Sequence, residues 1–227
     1  MLTLSTWRAR FDPLRDTSEV LDRVGGSLIA DYLADGDIPW YLHRGDLVVP
    51  ENLDNDIALI VDGDLVVHGF YDDYVSDIGL VVVLGDMVVR DLVSWGSVYV
   101  GGDLYADGIV YGYYNDYTFE VDGKVHARAL VLSDKSSDYR PGRLEVEIDP
   151  YDPTKEQLRA ARDIFVPDVY KKGAKRAKRG KRPKLRRPDY HLVCRRLYAG
   201  LPLFQSPPGQ PDETAQSNET TADTTAR

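Results

Sequence analysis

Four aspartates occupy the same place in a repeated phrase of this sequence. Each follows a glycine, and they are Asp46, Asp64, Asp86 and Asp103. If the phrases stack, the carboxylates form a column whose oxygens could bind Ca²⁺. Aspartate is also a favoured turn residue, because its side chain accepts hydrogen bonds from nearby backbone amides. The spacing lacks the dense nonapeptides of calcium-binding β-rolls, so we favour the turn role and predict no metal site.

A second group of acidic residues lies in two variable stretches. Its members are Asp72, Asp73, Asp77 and Asp116, with Asn115 beside the last. Paired carboxylates can divide acid and base roles in a polysaccharide-cleaving enzyme when a pocket separates their pKa values. Acidic loops are more often solvated surface, and the four histidines show no zinc-ligand or nucleophile-pair spacing. A phosphate-binding loop is also absent from the sequence, so we predict neither catalysis nor a cofactor.

Tyrosines are concentrated between positions 99 and 117. Tyrosine combines an apolar ring with a hydroxyl group and is common at binding sites, although ordinary strand packing explains such residues equally well. We predict a partner-binding surface that joins these tyrosines to the acidic loops. Its residues are Tyr105, Tyr111, Tyr113, Tyr114, Tyr117, Asp72, Asp73, Asp77 and Asp116.

Short strands must position these side chains. Five related phrases begin at glycines 45, 63, 85, 102 and 123, at intervals of 18, 22, 17 and 21 residues. Such intervals suit one circuit of a parallel β-solenoid and are too short for a βαβ unit. β-Branched and aromatic residues alternate with Asp, Gly and Ser throughout this region. We predict an all-β solenoid of about five coils, with a corner at each Gly-Asp pair, where glycine can take a positive φ that a β-branched residue could not.

The segments around the repeats have other compositions, and they divide the chain into six predicted units. These are an N-terminal helical cap (1–39), the solenoid (40–149), a C-terminal helical cap (150–170), a basic linker (171–188), a short docking element (189–204) and a disordered tail (205–227). The caps are predicted from apolar residues at helical spacing, and the tail from its Pro, Gln, Ser and Thr content. A helical cap would cover an otherwise exposed end of the stack.

Charge is distributed unevenly along the chain, whose net value is −9. Between Gly45 and Val125 there are sixteen acidic residues and two basic ones, so the solenoid should attract basic proteins. Residues 171–187 show the reverse, with eleven basic residues: Lys171, Lys172, Lys175, Arg176, Lys178, Arg179, Lys181, Arg182, Lys184, Arg186 and Arg187. This run could bind a polyanion, fold back on the acidic solenoid or remain a solvated linker.

Cys194 is the single cysteine, and the first ten residues do not read as a secretory signal. The longest apolar run, residues 79–84, has the length of a buried strand and is far too short to span a bilayer. We therefore expect a reducing, cytoplasmic setting and no transmembrane helix.

The phrase apolar-x-apolar-x-Gly-Asp-Leu-x-Val, repeated over roughly residues 45–130, resembles the bactofilins and other polymer-forming, cytoskeletal-type bacterial β-solenoids. This resemblance implies a right-handed parallel β-helix with a structural or partner-binding task and no catalytic site. The present chain departs from bactofilins in its flanks, which are predicted to be helical and able to cap the stack.

These observations lead to two expectations about function. The first is a non-enzymatic interaction or scaffold protein whose acidic, tyrosine-rich face binds a basic protein, for example as an immunity-type antagonist. The alternative is a bactofilin-like assembling protein whose basic tail tethers it to nucleic acid or to an anionic membrane surface. A carbohydrate enzyme with an acidic site ranks third.

Overall fold

The chain winds into a parallel β-solenoid of about six turns. The computed structural model describes residues 2–4, 6, 10–73, 79–113, 116–133, 136–149, 152–170 and 186–206. The predicted all-β solenoid is confirmed. The additional turn lies after the last recognised phrase, and in it Arg140 and Pro141 lie opposite Lys124 and Val125 of that phrase.

The strands, in chain order, are β1 (Leu2–Thr3), β2 (Asp12–Leu14), β3 (Trp40–Arg44), β4 (Leu47–Val49), β5 (Leu53–Asp54), β6 (Ala58–Asp62), β7 (Leu65–Asp72), β8 (Leu80–Val83), β9 (Met87–Ser94), β10 (Ser97–Val100), β11 (Leu104–Ala106), β12 (Ile109–Tyr113), β13 (Thr118–Ser133) and β14 (Ser136–Ile148). The α-helices are α1 (Ser18–Val24), α2 (Ile29–Ala34), α3 (Lys155–Ile164) and α4 (Tyr190–Tyr198), and a short 3-10 helix spans Pro167–Val169.

Three parallel stacks form the sides of the solenoid. Sheet A contains β3, β6, β8, β10 and the first parts of β13 and β14. Sheet B contains β4, the first parts of β7 and β9, β11 and the middle parts of β13 and β14. Sheet C contains β5, the last parts of β7 and β9, β12 and the last parts of β13 and β14. Each long strand therefore bends from one side to the next.

Side chains alternate between the lumen and the outside, as they must along an extended strand. The lumen is filled by Val, Leu and a few larger residues, such as Leu59 on sheet A, Leu65 on sheet B and Leu130 on sheet C, all fully buried. The repeated Leu-x-Val of each phrase belongs to this core because its two apolar residues point inward.

The N-terminal helices lie along the outer side of sheet A. Ile29 and Leu33 of α2 pack with Trp40 and Ile60 in one buried cluster. The carboxylate of Glu120, on the same side of the sheet, accepts the backbone N–H groups of Leu28 (2.7 Å) and Ile29 (2.9 Å). The segment predicted as an end cap thus places its helices against a side of the solenoid.

The C-terminal helices cover the outer side of sheet C. Thr154 starts α3 with a capping box, in which its hydroxyl accepts the Gln157 N–H and the Gln157 side chain accepts the Thr154 N–H. Phe165 and Val193 are buried with Tyr111 and Val131 of the sheet. These helices therefore extend the apolar packing of sheet C outward.

The two ends of the stack differ. At the first turn, β2 pairs antiparallel with β3, β1 pairs with β5, and Phe11 joins the lumen core. The last turn is the edge strand β14, which contains Pro141 and several charged residues. Proline and charge at an edge discourage further strand pairing.

Candidate binding surface

The outer side of sheet B is the one side of the solenoid that no described helix covers. Its strands are as short as three residues, so that most turns present one outward side chain between two inward ones. We call these side chains the outward ladder: Val48, Val66, Val88, Tyr105 and His126. Val48 is 54% exposed, and Val88 and Tyr105 are each 39% exposed. This side, with its flanking corners, is called face B below.

The outward ladder is straight because its members are paired in register. Val48 lies opposite Val66, Val66 opposite Val88, Val88 opposite Tyr105, and Tyr105 opposite His126. Neighbouring strands are about 4.8 Å apart, so five positions span about 19 Å. Face B therefore carries a narrow ridge of largely apolar side chains that runs along the solenoid axis.

One flank of this ridge is the aspartate ladder, formed by Asp46, Asp64, Asp86 and Asp103. The Oδ1 atom of each accepts the backbone N–H of the equivalent residue in the next turn, at 2.9, 2.8, 2.7 and 2.7 Å, the last donor being Lys124. The predicted turn role is thus seen here as a bond between turns. No group of three or more His, Cys, Asp or Glu among the described residues is arranged to hold a metal ion.

The glycines of these corners do not serve the purpose that the sequence suggested. Among the corner glycines, Gly45 alone has a positive φ, of 80°. At Gly85 an added Cβ would lie 2.2 Å from Asp64 Oδ1, and at Gly102 it would lie 2.1 Å from Asp86 Oδ1. The freedom to take a positive φ is therefore used at Gly45 and not at the later corners. Glycine is required because the carboxylate of the preceding turn occupies the space of a side chain.

Tyr105 and His126 form a compact cluster with Asp103. The two rings stack with centroids 4.8 Å apart and planes 9° apart. The Tyr105 hydroxyl donates to Asp103 Oδ2 at 2.9 Å, and His126 Nε2 lies 3.9 Å from the same oxygen. His126 Nδ1 accepts the Arg143 backbone N–H at 3.1 Å, so this nitrogen carries no proton in that bond. The pKa of Asp103 is lowered mainly by the hydrogen bond from the Lys124 N–H and also by the one from the Tyr105 hydroxyl. The same bond between Tyr105 and Asp103 raises the pKa of Tyr105.

A shallow concavity adjoins this cluster. It is lined by the Tyr105 and His126 side chains on one side and by Arg128, Arg143 and Glu145 on the other. Arg128 bonds to Glu145 at 3.2 Å and lies over the Phe204 ring at 4.2 Å. The Asp–Tyr–His arrangement is held by ring stacking, by the side-chain bond from Tyr105 to Asp103 and by backbone N–H groups that donate to Asp103 and His126.

Two acidic residues predicted for the binding surface are buried instead. Asp72 and Asp73 are both fully buried. Asp73 accepts the Ser94 hydroxyl at 2.7 Å and the backbone N–H groups of Trp95 and Gly96, and Asp72 Oδ2 accepts the Tyr198 hydroxyl of α4. Their assignment to a surface was wrong, because α4 packs over the end of β7.

The predicted tyrosine patch is also divided. Tyr111 is buried and donates to the Pro188 carbonyl at 2.9 Å, while Tyr113 stacks on Tyr190 of α4. Tyr117 stacks on Tyr32 of α2. Of the described tyrosines in the predicted surface, these three hold the helices to the solenoid, and Tyr105 lies on face B.

Asp116 is exposed near α2, away from Tyr105, and its carbonyl accepts the Tyr32 hydroxyl.

Several predicted site residues lie outside the described part of the chain. They are Asp77, Tyr114, Lys171, Lys172, Lys175, Arg176, Lys178, Arg179, Lys181, Arg182 and Lys184. Arg186 is described and exposed, and Arg187 is half-buried. The described residues before and after the basic run are joined by a hydrogen bond, in which the Asp189 N–H donates to the Val169 carbonyl at 2.7 Å.

Sequence reasoning missed the three valines and His126 of the outward ladder. The signal was present in the repeated Leu-x-Val, whose middle residue must point away from the lumen when its neighbours point inward. Valine is frequent in strands whether it is buried or exposed, so an exposed valine cannot be distinguished from a buried one by residue type alone.

No protein-family model, curated protein or solved structure matches this chain. None of the described helices has the length and apolar character needed to cross a membrane.

Proposed function

We propose that this protein is a non-enzymatic interaction protein that binds a basic protein partner through face B. The observation that carries this proposal is the difference between the three sides of the solenoid. Helices of the chain bury the outer sides of sheets A and C, whereas face B keeps exposed apolar residues such as Val48 and Val88 beside a row of carboxylates. Such an apolar patch rimmed by charge is typical of a protein-binding surface.

The charge of the partner follows from the aspartate ladder. Within the described part of the chain no Lys or Arg side chain pairs with Asp46, Asp64 or Asp86. Two arginines on the opposite flank are already engaged, Arg90 with Asp91 at 3.1 Å and Arg128 with Glu145 at 3.2 Å. Face B thus presents unpaired negative charge and favours a positively charged partner. An antagonist that inhibits a basic target protein would need such a surface.

A reducing compartment is consistent with this role. Cys194 is the only cysteine of the chain and is a buried free thiol. A cytoplasmic location is part of the proposal on that ground.

The alternative of a bactofilin-like filament finds less support at the ends of the stack. Antiparallel β2 covers the β3 edge of the first turn, and Pro141 interrupts the edge of the last one. Both features oppose the addition of a further solenoid by strand pairing. Filaments in negative-stain images of the purified protein would favour the alternative.

A photo-crosslinking amino acid tests the proposed surface. It is placed at position 88 on face B, and the matched control is position 28, where the exposed Leu28 lies on the far side of the molecule beside α2. We expect a basic protein to be captured from position 88 alone, and the purified partner to lose binding to Val88→Asp but not to Leu28→Asp. Capture from position 28 alone, or of a second copy of the chain, would overturn the proposal.

A further inference from the structure

The shape of face B restricts what can lie on it. Every strand of the outward ladder from Val66 to Tyr105 already pairs with a neighbour on both sides. Between Val66 and Tyr105 a partner strand therefore finds no free backbone groups, and recognition there must use side chains. The ridge is one residue wide and about 19 Å long at the usual strand spacing.

An α-helix has the dimensions to cover such a ridge. A length of 19 Å corresponds to about 13 residues at 1.5 Å per residue, and the helical pitch of about 5.4 Å is close to the strand spacing. The groove between two rows of helical side chains accepts a narrow ridge. The same molecule covers its other two sides in this way, with Val20 and Val24 of α1 and with Val193 and Leu197 of α4 buried at four-residue spacing.

The charges beside the outward ladder determine which flank of a bound helix can carry basic residues. Asp46, Asp64 and Asp86 flank the three valines on one side only, and each uses Oδ1 for the next turn while Oδ2 has no hydrogen-bond partner among the described residues. The other flank carries His68 and Arg90. Lys or Arg on one flank of a helix would thus meet carboxylates, whereas acidic residues there would be repelled.

We propose that the occupant of face B is a basic amphipathic α-helix of the partner, with its apolar stripe on the outward ladder and its Lys or Arg residues beside the aspartate ladder. This inference rests on the proposed function and specifies the partner's binding element. Three to four helical turns suffice to contact the whole ladder.

A labelled 16-residue peptide serves as the probe. It carries Leu at i, i+4, i+7 and i+11, Lys along one flank and Gln elsewhere, and binding to the full chain is followed by fluorescence anisotropy. Two matched peptides are the controls: one has a central Pro-Pro that prevents a helix, and one has Glu in place of each Lys. We expect the helical basic peptide to bind at least tenfold more tightly than either control and to gain helical circular dichroism on binding.

Variants of the chain localise the contact. Val88→Asp should weaken the peptide at least tenfold, and Leu28→Asp should leave binding unchanged. The double variant Asp64→Asn, Asp86→Asn should weaken it about two- to thirtyfold at low salt and much less at high salt, because each of the two exposed ion pairs contributes about 0.2–1 kcal/mol. Asparagine is compatible with a corner of this kind, since Asn52 Oδ1 accepts the Phe70 N–H at 3.1 Å in the natural chain.

The outcomes separate this inference from the proposed function. If position 88 captures a basic partner but the helical and proline-containing peptides bind equally well, the inference that the partner binds through a helix is wrong. The proposal that face B is the binding surface is then still supported. Peptide binding that is insensitive to Val88→Asp also overturns the inference of a helix. If position 88 captures no basic partner, the proposed function fails, whatever the peptide does.

Discussion

The Tyr139 hydroxyl donates a 2.6 Å hydrogen bond to Glu147 Oε1 at the last turn of the solenoid. Tyr139 is in register with Val121 and Glu147 with Leu130, and both of those residues belong to the lumen core. A carboxylate therefore occupies an inward position at the end of the stack, and its bond spans the lumen from sheet A to sheet C. An inward-pointing charge at an open edge is a device that prevents edge-to-edge association.

Replacing this carboxylate should promote assembly. Glu147→Leu makes the inward positions of the last turn more apolar, and we expect a concentration-dependent rise in the mass measured by light scattering. The matched control is Glu145→Leu at a neighbouring exposed position of β14. A constant mass for Glu147→Leu, or an equal rise for the control, would contradict the role of Glu147.

Asp73 should be essential for stability. Its three described hydrogen bonds all connect to residues 94–96, and removal of the carboxylate leaves buried amide groups unsatisfied. Hydrogen bonds to a charged group contribute about 1.5–3 kcal/mol each, so Asp73→Ala should lower the free energy of unfolding by about 3 kcal/mol or more. Urea titration measures this change. Asp116→Ala, at an exposed acid, should change it by less than about 0.5 kcal/mol.

Gly96 should not tolerate any side chain. A Cβ there would lie 1.5 Å from the Gly79 carbonyl oxygen, which is backbone and cannot move aside. We expect Gly96→Ala to lower Tm by about 10 °C or more, since 1 kcal/mol corresponds to about 2–4 °C at this chain length. Gly36→Ala is the control, because its Cβ would have no atom within 4 Å. Similar melting temperatures for the two variants would show that the turns can separate.

The stability of the protein should increase on mild acidification. Burial is the main cause of the raised pKa values of Asp54, Asp91 and Glu120. A carboxyl whose pKa is higher in the folded chain binds protons more readily there, so its contribution is largest below the ordinary values of 3.8 and 4.5 and is lost as the pH rises through the folded pKa. We expect Tm to fall between pH 4.5 and 7.5, with a smaller fall in Glu120→Gln. A rise over this range would contradict the prediction.

Cys194 should report on the docking of α4. Burial raises the pKa of its thiol to about 12, so a thiol reagent should react slowly at neutral pH. Tyr198→Phe removes the hydrogen bond from α4 to Asp72, and we expect labelling to become about tenfold faster. Tyr105→Phe, which removes a comparable bond on face B, should leave the rate unchanged. Equal rates in all three proteins would mean that the Tyr198 bond does not hold α4.

The solenoid could be predicted because its information is local. Each Gly-Asp-Leu-x-Val phrase carries its own corner and its own inward pair, and repetition places them in register. The tyrosines could not be assigned in this way. Whether Tyr111 or Tyr105 is exposed depends on where α4 and α2 pack, and the relevant contacts are distant in sequence, as between Tyr198 and Asp72. The chemistry of a residue type does not specify which side of a sheet a distant helix will cover.

The aspartate ladder also has a consequence for how such a chain can change in length. At each Gly-Asp corner, the Oδ1 atom of the aspartate accepts the backbone N–H of the equivalent residue in the following turn. The series begins with Asp46 as acceptor and ends with Lys124 as donor. When a segment between two equivalent glycines is removed or duplicated, each Asp carboxylate still meets a backbone N–H donor of the kind that it already binds. Whole turns can therefore be duplicated or lost in evolution without new corner chemistry, and each such event shortens or lengthens face B by one step.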